Sequence, residues 1–158
     1  MSGTEAGGLA SAPVAASGVS RIALTRPMVR IAQLAIGVIL LWASLGKIGD
    51  MSEFAREVHN FHLSPLWAEH LIAMTLPWVE LTAGLALVTG LRARAGAVLA
   101  LALMVLFTIA VGAAWARGLD FRCGCFGKAS AATIGPAKFV ENVGFALLAA
   151  IAALRPRG

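Results

Sequence analysis

The sequence predicts an all-α integral membrane protein, an antiparallel bundle of four transmembrane helices. Hydrophobic residues make up 59% of the chain and charged residues 13%, and the mean hydropathy is +0.82. Such a composition is too apolar for a water-soluble surface. The apolar residues also fall into four runs of roughly 20 residues, the length that crosses a bilayer. A chain of 158 residues has room for this one domain and its loops.

Short polar segments separate the four predicted spans. Their ranges are about 28–46, 71–91, 95–116 and 136–154. Lys47 ends the first span, and we expect its long side chain to reach toward the lipid headgroups. Pro136 opens the fourth span, because the first turn of a helix tolerates a missing N–H group.

Small residues recur in the later spans, at Gly84, Gly90, Gly96, Ala100, Gly112, Ala116, Gly144 and Ala149. Helices in lipid gain little from hydrophobic association with each other, so close approach across small residues is expected to hold the bundle together.

The two ends of the chain are predicted to be tails in the cytoplasm. Residues 1–27 are rich in Ala, Gly and Ser and cannot bury enough apolar surface to fold, which predicts disorder. They lack the order of basic start, apolar middle and cleavage site that a signal peptide needs. We therefore expect an uncleaved first span, a membrane domain over 28–154 and a second short tail at 155–158.

The polar segment between the first two spans, 47–70, is predicted to contain a short amphipathic helix on the membrane surface. Phe54, Val58 and Phe61 recur there at helical spacing. His59 and His62 would share one face of such a helix. Together with His70 they are candidates for metal binding or proton transfer. Their spacing matches no metal signature, and polar residues at a membrane interface explain them more simply.

Basic residues indicate the orientation of the bundle. The net charge is +5, but no Lys/Arg block with interleaved aromatic residues is present, which argues against nucleic-acid binding. Seven cations fall on the side of the termini, at Arg21, Arg26, Arg30, Arg92, Arg94, Arg155 and Arg157. Six fall on the other side, at Lys47, Arg56, Arg117, Arg122, Lys128 and Lys138. The seven cations on the side of the termini lie close to helix ends, so we expect that side to face the cytoplasm. The protein would then be a multi-pass protein of the inner membrane with both termini cytoplasmic. Lipid headgroups are expected near these cations.

Both cysteines of the chain lie between the third and fourth spans, in Cys123-Gly124-Cys125-Phe126-Gly127. A disulfide across one intervening residue is strained and easily reduced, and Gly124 supplies the backbone freedom to form it. Arg122 and Lys128 flank the pair and favour the nucleophilic thiolate. A static disulfide or two inert thiols remain an alternative. Zinc would need four ligands, so no metal is predicted here.

An acidic residue inside the second span is a further candidate. Glu80 lies about nine residues into it, roughly 13 Å below the surface, where a charge is costly and usually functional. Lys47, Thr75 and Thr82 are its candidate partners. A protonated Glu80 hydrogen-bonded between helices is the structural alternative. In the fourth span, Glu141 and its neighbour Asn142 are expected beneath the cysteines, for proton handling or for anchoring that segment.

Several of these residues resemble the DoxX-like superfamily of small four-helix membrane proteins, and most closely its MauE branch, named for a methylamine utilisation protein. The resemblance covers about 28–154. It is carried by Gly46-Lys47, Phe54, Pro77, Glu80-Leu81, Gly84-Leu85 and the Cys123–Gly127 motif, of which the last is the most specific.

The resemblance implies an inner-membrane accessory protein that works with an extracytoplasmic thioredoxin-like partner, as in maturing the disulfide-rich small subunit of methylamine dehydrogenase. The leading hypothesis is a thiol–disulfide relay in which Cys123 and Cys125 exchange with that partner. No cofactor is evident in the sequence, although a quinone would serve as electron carrier. The alternatives are a non-catalytic scaffold with a structural disulfide and a subunit of a quinone-linked oxidoreductase. Whether the protein is an enzyme stays open at this point.

Overall fold

The computed structural model describes residues 26–62, 65–119, 121 and 133–154. Five helices lie in these ranges: α1 (Arg26–Gly49), α2 (Met51–Asn60), α3 (Leu66–Thr89), α4 (Ala93–Ala116) and α5 (Pro136–Ala153). All except α2 are long and apolar enough to cross a membrane. The predicted all-α, four-span membrane bundle is therefore confirmed. The tails predicted at 1–27 and 155–158 lie almost entirely outside the described residues; α1 begins at Arg26.

The four long helices form a bundle in which consecutive helices run antiparallel. α1 and α4 each pack against both α3 and α5, and they also touch each other across the centre. Large side chains fill this centre without exposure, among them Ile36, Leu40 and Met104. The outer surface is also apolar, with exposed Ile31, Trp42, Ile109, Val140 and Leu147. Apolar residues on both sides of the helices are typical of a bundle surrounded by lipid.

The end of the bundle at which α1 starts and α3 turns into α4 is held by polar side chains. Arg30 donates to the carbonyls of Leu87 and Val88, at 2.8 and 2.9 Å. These carbonyls belong to the last turn of α3 and have no partner within the helix. Gly90 then ends α3 with a φ of +80°, a conformation that favours glycine. We call the other end, which carries α2, the α2 end.

The second span begins earlier than predicted. Helix α3 starts at Leu66 rather than near residue 71, after Pro65 in an extended conformation. Its first turns contain Glu69, which is only 5% exposed because its carboxylate is paired with His59. The polar residues that suggested a loop thus belong to the start of a helix, and its acidic residue lies within hydrogen-bond distance of His59.

Close contacts confirm part of the predicted small-residue packing. Gly84 lies against Gly37 and Leu41 of α1, and Gly96 of α4 lies against Ala83 and Ala86 of α3. Ala100 and Ala149 are fully buried. The prediction is wrong for Gly144, where an added methyl group would meet nothing within 4 Å, and for the exposed Ala116.

Helix α2 forms where the amphipathic pattern predicts it. The Asp50 side chain accepts a hydrogen bond from the Glu53 backbone N–H at 3.1 Å, which caps the start of the helix. Phe54 is buried, and the helix packs against α3 and α1. The shared helical face predicted for the two histidines is wrong, because α2 ends at Asn60 and His62 follows it with a φ of +47°. Their rings still meet edge to face, with centroids 5.2 Å apart.

The contact between α1 and α3 leads to a direct test. In Gly84→Ala, the new methyl group would lie 2.9 Å from Leu41 Cγ and 3.0 Å from the Gly37 carbonyl oxygen. We expect a loss of about 1–3 kcal/mol, because the backbone must move to accommodate it. Unfolding in mixed micelles, followed by circular dichroism, measures the change. Gly144→Ala is the matched control and should be neutral or slightly stabilising; equal losses in both variants would contradict the packing.

Candidate functional site

A buried ion pair joins α1 to α3 at the α2 end. Lys47 lies in the last turn of α1, and its Nζ is 2.5 Å from Oε1 of Glu80. Lys47 is 2% exposed and Glu80 is not exposed at all. The expectation that Lys47 reaches toward the headgroups is therefore wrong. The carboxylate within its reach draws the side chain inward, since a buried charge needs a partner.

The alternative partners considered for Glu80 are engaged elsewhere. Thr75 and Thr82 are exposed, and their hydroxyls donate to carbonyls of their own helix, those of Leu71 and Val79. Lys47 is thus the predicted partner that the structure places on Glu80. The second carboxylate oxygen, Oε2, accepts no hydrogen bond within the described part of the chain.

Two aromatic rings surround the Lys47 ammonium. The centroid of Phe54 on α2 lies 5.2 Å from Nζ, and that of Phe107 on α4 lies 5.1 Å away. A cation over an aromatic face is attracted to it, and the attraction grows where water is excluded. Phe54 therefore has a defined place in the site, and Lys47 connects α1, α2, α3 and α4.

A second polar cluster lies in the first turns of α5, where Lys138 and Asn142 are buried and Glu141 is 40% exposed. Lys138 Nζ is 3.0 Å from both carboxylate oxygens of Glu141, and Lys138 is 1% exposed. Asn142 is fully buried and donates from Nδ2 to the Lys138 carbonyl at 2.9 Å. Sequence reasoning chose Glu141 and Asn142 but counted Lys138 only as a basic residue. The spacing of three residues between Lys138 and Glu141 was the signal that could have identified the pair.

The helix ends on either side of the cysteine segment are fixed to the α2–α3 connection. Arg117 donates to the carbonyls of Phe61 and His62. The Phe61 ring meets Phe121 edge to face, with centroids 4.9 Å apart. The Ile134 N–H donates to the Phe121 carbonyl at 3.0 Å. Phe121 and Ile134 therefore lie next to each other, and the segment between them in sequence contains both cysteines.

The cysteine motif itself is outside the described residues, and its role stays a prediction. This applies to Arg122, Cys123, Gly124, Cys125, Phe126 and Gly127. Arg117, which the sequence singled out only as one of six cations on that side, fixes one flank of that segment. A lone arginine after an apolar run gives no sign of the backbone carbonyls that it will meet.

The histidines form a smaller polar group on the same end. His59 Nδ1 lies 2.8 Å from Glu69 Oε2, and half of the His59 side chain is exposed. Across the described ranges, no three His, Cys, Asp or Glu side chains are placed to hold a metal ion together.

Comparison with known proteins identifies the family. Residues 25–155 match the family model described as methylamine utilisation protein MauE. The chain belongs to the MauE family. Together with the four apolar helices, this membership makes it a multi-pass membrane protein.

Three curated MauE relatives are similar over most of this chain. The protein named methylamine utilization protein MauE from Methylorubrum extorquens is 37% identical over 71% of this chain and 61% of its own length. The proteins of the same name from Paracoccus denitrificans and Methylophilus methylotrophus are 34% and 36% identical, over 65% and 60% of this chain and 56% and 50% of their own lengths. The matched part is therefore less than two thirds of each relative. No solved structure matches the chain.

The buried ion pair predicts strong coupling between its two members. Lys47→Met and Glu80→Met should each cost about 3–5 kcal/mol, because each leaves a buried charged group without its main partner. The double variant Lys47→Met/Glu80→Met should cost much less than the sum, because it buries apolar groups of similar volume. Unfolding in mixed micelles gives the four free energies. Additive losses would show that the two side chains do not interact.

The acidic residues of α2 predict a pH dependence of stability. Burial raises the pKa of Glu57, the Glu53 charge raises it further, Lys47 opposes the rise and Asp50 adds to it. A carboxyl whose pKa is raised by folding stabilises the fold below its unfolded pKa, near 4, and loses that stability as pH rises through the folded pKa.

Glu57→Gln should therefore raise the thermal midpoint at pH 8 and leave it unchanged near pH 4. The exposed Arg56→Gln on the same helix is the control, measured at both pH values. A Glu57→Gln midpoint that equals the parent at pH 8 would contradict the pKa shift.

Proposed function

We propose that this MauE-family protein is a membrane thiol–disulfide relay, or an accessory factor, in the formation of disulfides outside the cytoplasm. The observation that carries the proposal is the placement of the cysteine segment. The only two cysteines of the chain fall between Phe121 and Ile134, whose backbones are hydrogen-bonded to each other at the α2 end. A segment whose two described flanks are hydrogen-bonded to each other at one end of a membrane bundle suits repeated docking of a soluble partner.

The chemistry is an exchange of two electrons with a partner protein. A partner thiolate attacks the Cys123–Cys125 disulfide, the S–S bond breaks, and a mixed disulfide forms while the leaving thiolate takes up a proton. The second partner thiolate then attacks the mixed disulfide. The products are a partner disulfide and a reduced Cys123/Cys125 pair, so the partner is oxidised and the pair is reduced. We propose a thioredoxin-like protein as the partner, and methylamine utilisation, the process that the relatives' name gives, as the process that this exchange serves.

Reoxidation of the pair needs an acceptor of two electrons and two protons. A membrane quinone is the chemical class that we propose. A reduced quinone carries hydroxyl groups, which donate hydrogen bonds. The buried acceptors Glu80 Oε2 and Asn142 Oδ1 suit these hydroxyl groups, because they receive no hydrogen bond from the described residues.

We also propose that the α2 end faces away from the cytoplasm. Of the six cations counted at that end, Lys47 and Lys138 are buried and face carboxylates. At the opposite end Arg26, Arg92 and Arg94 are exposed. At the α2 end Arg56 and Arg117 are exposed. Three described exposed cations beside the termini against two at the α2 end support a cytoplasmic position for the termini. An oxidising compartment would then surround the cysteines.

Free-thiol measurement on the purified protein tests the relay. We expect two thiols after mild reduction and none after mild oxidation, with both states reached reversibly. Cys123→Ser and Cys125→Ser should each abolish oxidation of a thioredoxin-like partner from the same cell, whereas Thr108→Val, far from the motif in sequence, should retain it. A pair that resists mild reductants would indicate a structural disulfide and the scaffold alternative. Partner oxidation that persists in the serine variants would exclude the relay.

A further inference from the structure

Two buried side-chain oxygens lack a hydrogen-bond donor in the described part of the chain, Glu80 Oε2 and Asn142 Oδ1. Both residues are fully buried. An unsatisfied buried acceptor costs roughly 1–3 kcal/mol, more if it is charged, so native proteins seldom leave one without a partner. The orientation of the Asn142 amide is fixed, because its Nδ2 donates to the Lys138 carbonyl at 2.9 Å.

The two oxygens belong to residues at the same depth in the bundle. Gln33 of α1 donates to the Ala152 carbonyl of α5. Because the two helices are antiparallel with equal rise per residue, Asn142, ten residues before Ala152, is level with Ala43. Glu80 lies four residues before Gly84, which packs against Gly37 and Leu41. Glu80 is therefore level with about residues 41–45 of α1.

The groups around this level come from all four long helices. α3 and α5, which carry the two acceptors, occupy opposite corners of the bundle with α1 and α4 between them. α1 contributes the buried Ser44, whose hydroxyl donates to the Leu41 carbonyl. α4 contributes Phe107, which is 6% exposed. At this depth the interior therefore has hydrogen-bond acceptors from α3 and α5 and an aromatic ring from α4.

We propose that the bundle interior at this depth, on the α2 side of the buried Ile36 and Leu40, binds a hydroxyl-bearing ligand that donates hydrogen bonds to Glu80 Oε2 and Asn142 Oδ1. Because both side-chain oxygens accept hydrogen bonds, they favour a ligand that donates hydrogen bonds. A metal cation fits less well, since the Lys47 ammonium already neutralises the Glu80 carboxylate. Hydroxyl donors of two kinds reach such a site, internal water and a membrane hydroquinone. A bound hydroquinone would connect the site to the proposed thiol chemistry, so this form of the inference rests on the proposed function. Bound water would not depend on the proposed function.

Two measurements distinguish these ligands, both made on the full chain with Cys123→Ser/Cys125→Ser so that they do not depend on thiol chemistry. Infrared difference spectra after exchange into H₂¹⁸O detect the O–H stretch of internal water. Titration with decylubiquinol measures hydroquinone binding. In Glu80→Gln the single oxygen stays on Lys47 and an NH₂ donor replaces Oε2. For whichever ligand occupies the site, we therefore expect both Glu80→Gln and Asn142→Leu to abolish the isotope-sensitive band or to weaken decylubiquinol binding at least tenfold.

The controls separate loss of the ligand from loss of the fold. Asn142→Gln retains both an amide donor and an acceptor oxygen and should retain more of the ligand signal than Asn142→Leu. Thr108→Val removes a hydroxyl that is satisfied by the Met104 carbonyl and should change neither signal. The proposal is overturned if the parent shows neither signal, or if Asn142→Leu and Glu80→Gln leave both unchanged. If the chain with both cysteines intact fails to oxidise the partner while these signals are present, the result counts against the relay alone.

Discussion

The contact between Lys47 and Glu80 determines how the α2 end of this bundle is built. A charge inside a membrane protein is tolerated when it is paired and faces the interior, and here the pair lies between α1 and α3 with no exposure of the acid. The ammonium also attracts Phe54 from α2 and Phe107 from α4. One side chain thereby fixes the surface helix over the bundle and sets the relative position of three long helices.

The same end contains further polar groups, both buried and exposed, and they differ in how well they are satisfied. Lys138 and Glu141 neutralise each other, and Arg117 satisfies two carbonyls beside the α2–α3 connection. Only Glu80 and Asn142 keep an acceptor without a donor among the described residues. Buried polar groups of this kind are expensive and mark sites that bind something. The polar interior and the flanks of the cysteine segment thus occupy one end of the molecule, while the other end is closed by Arg30.

Local sequence patterns predict the structural features that depend on residues close together in the sequence. The four spans, the amphipathic α2 and the start of α5 at Pro136 all follow from runs, spacing and capping chemistry. The burial of Lys47 does not, because it depends on a carboxylate 33 residues away that only the packing of α1 on α3 brings near. The early start of α3 was missed for the same reason, since Glu69 is compatible with a buried position only beside His59. The cysteine motif is recognisable from sequence, and its chemistry stays a prediction.

A distance measurement in lipid bilayers tests the Lys47–Glu80 contact most directly. Solid-state NMR on protein labelled with ¹⁵N at lysine Nζ and ¹³C at glutamate Cδ reports dipolar coupling between them, and the chain has only three lysines. Glu141→Gln removes the coupling expected from Lys138. We expect the coupling that remains in Glu141→Gln to correspond to a direct ion pair and to vanish on further substitution of Glu80→Gln. Absence of coupling in Glu141→Gln would contradict the buried ion pair on which this description of the bundle depends.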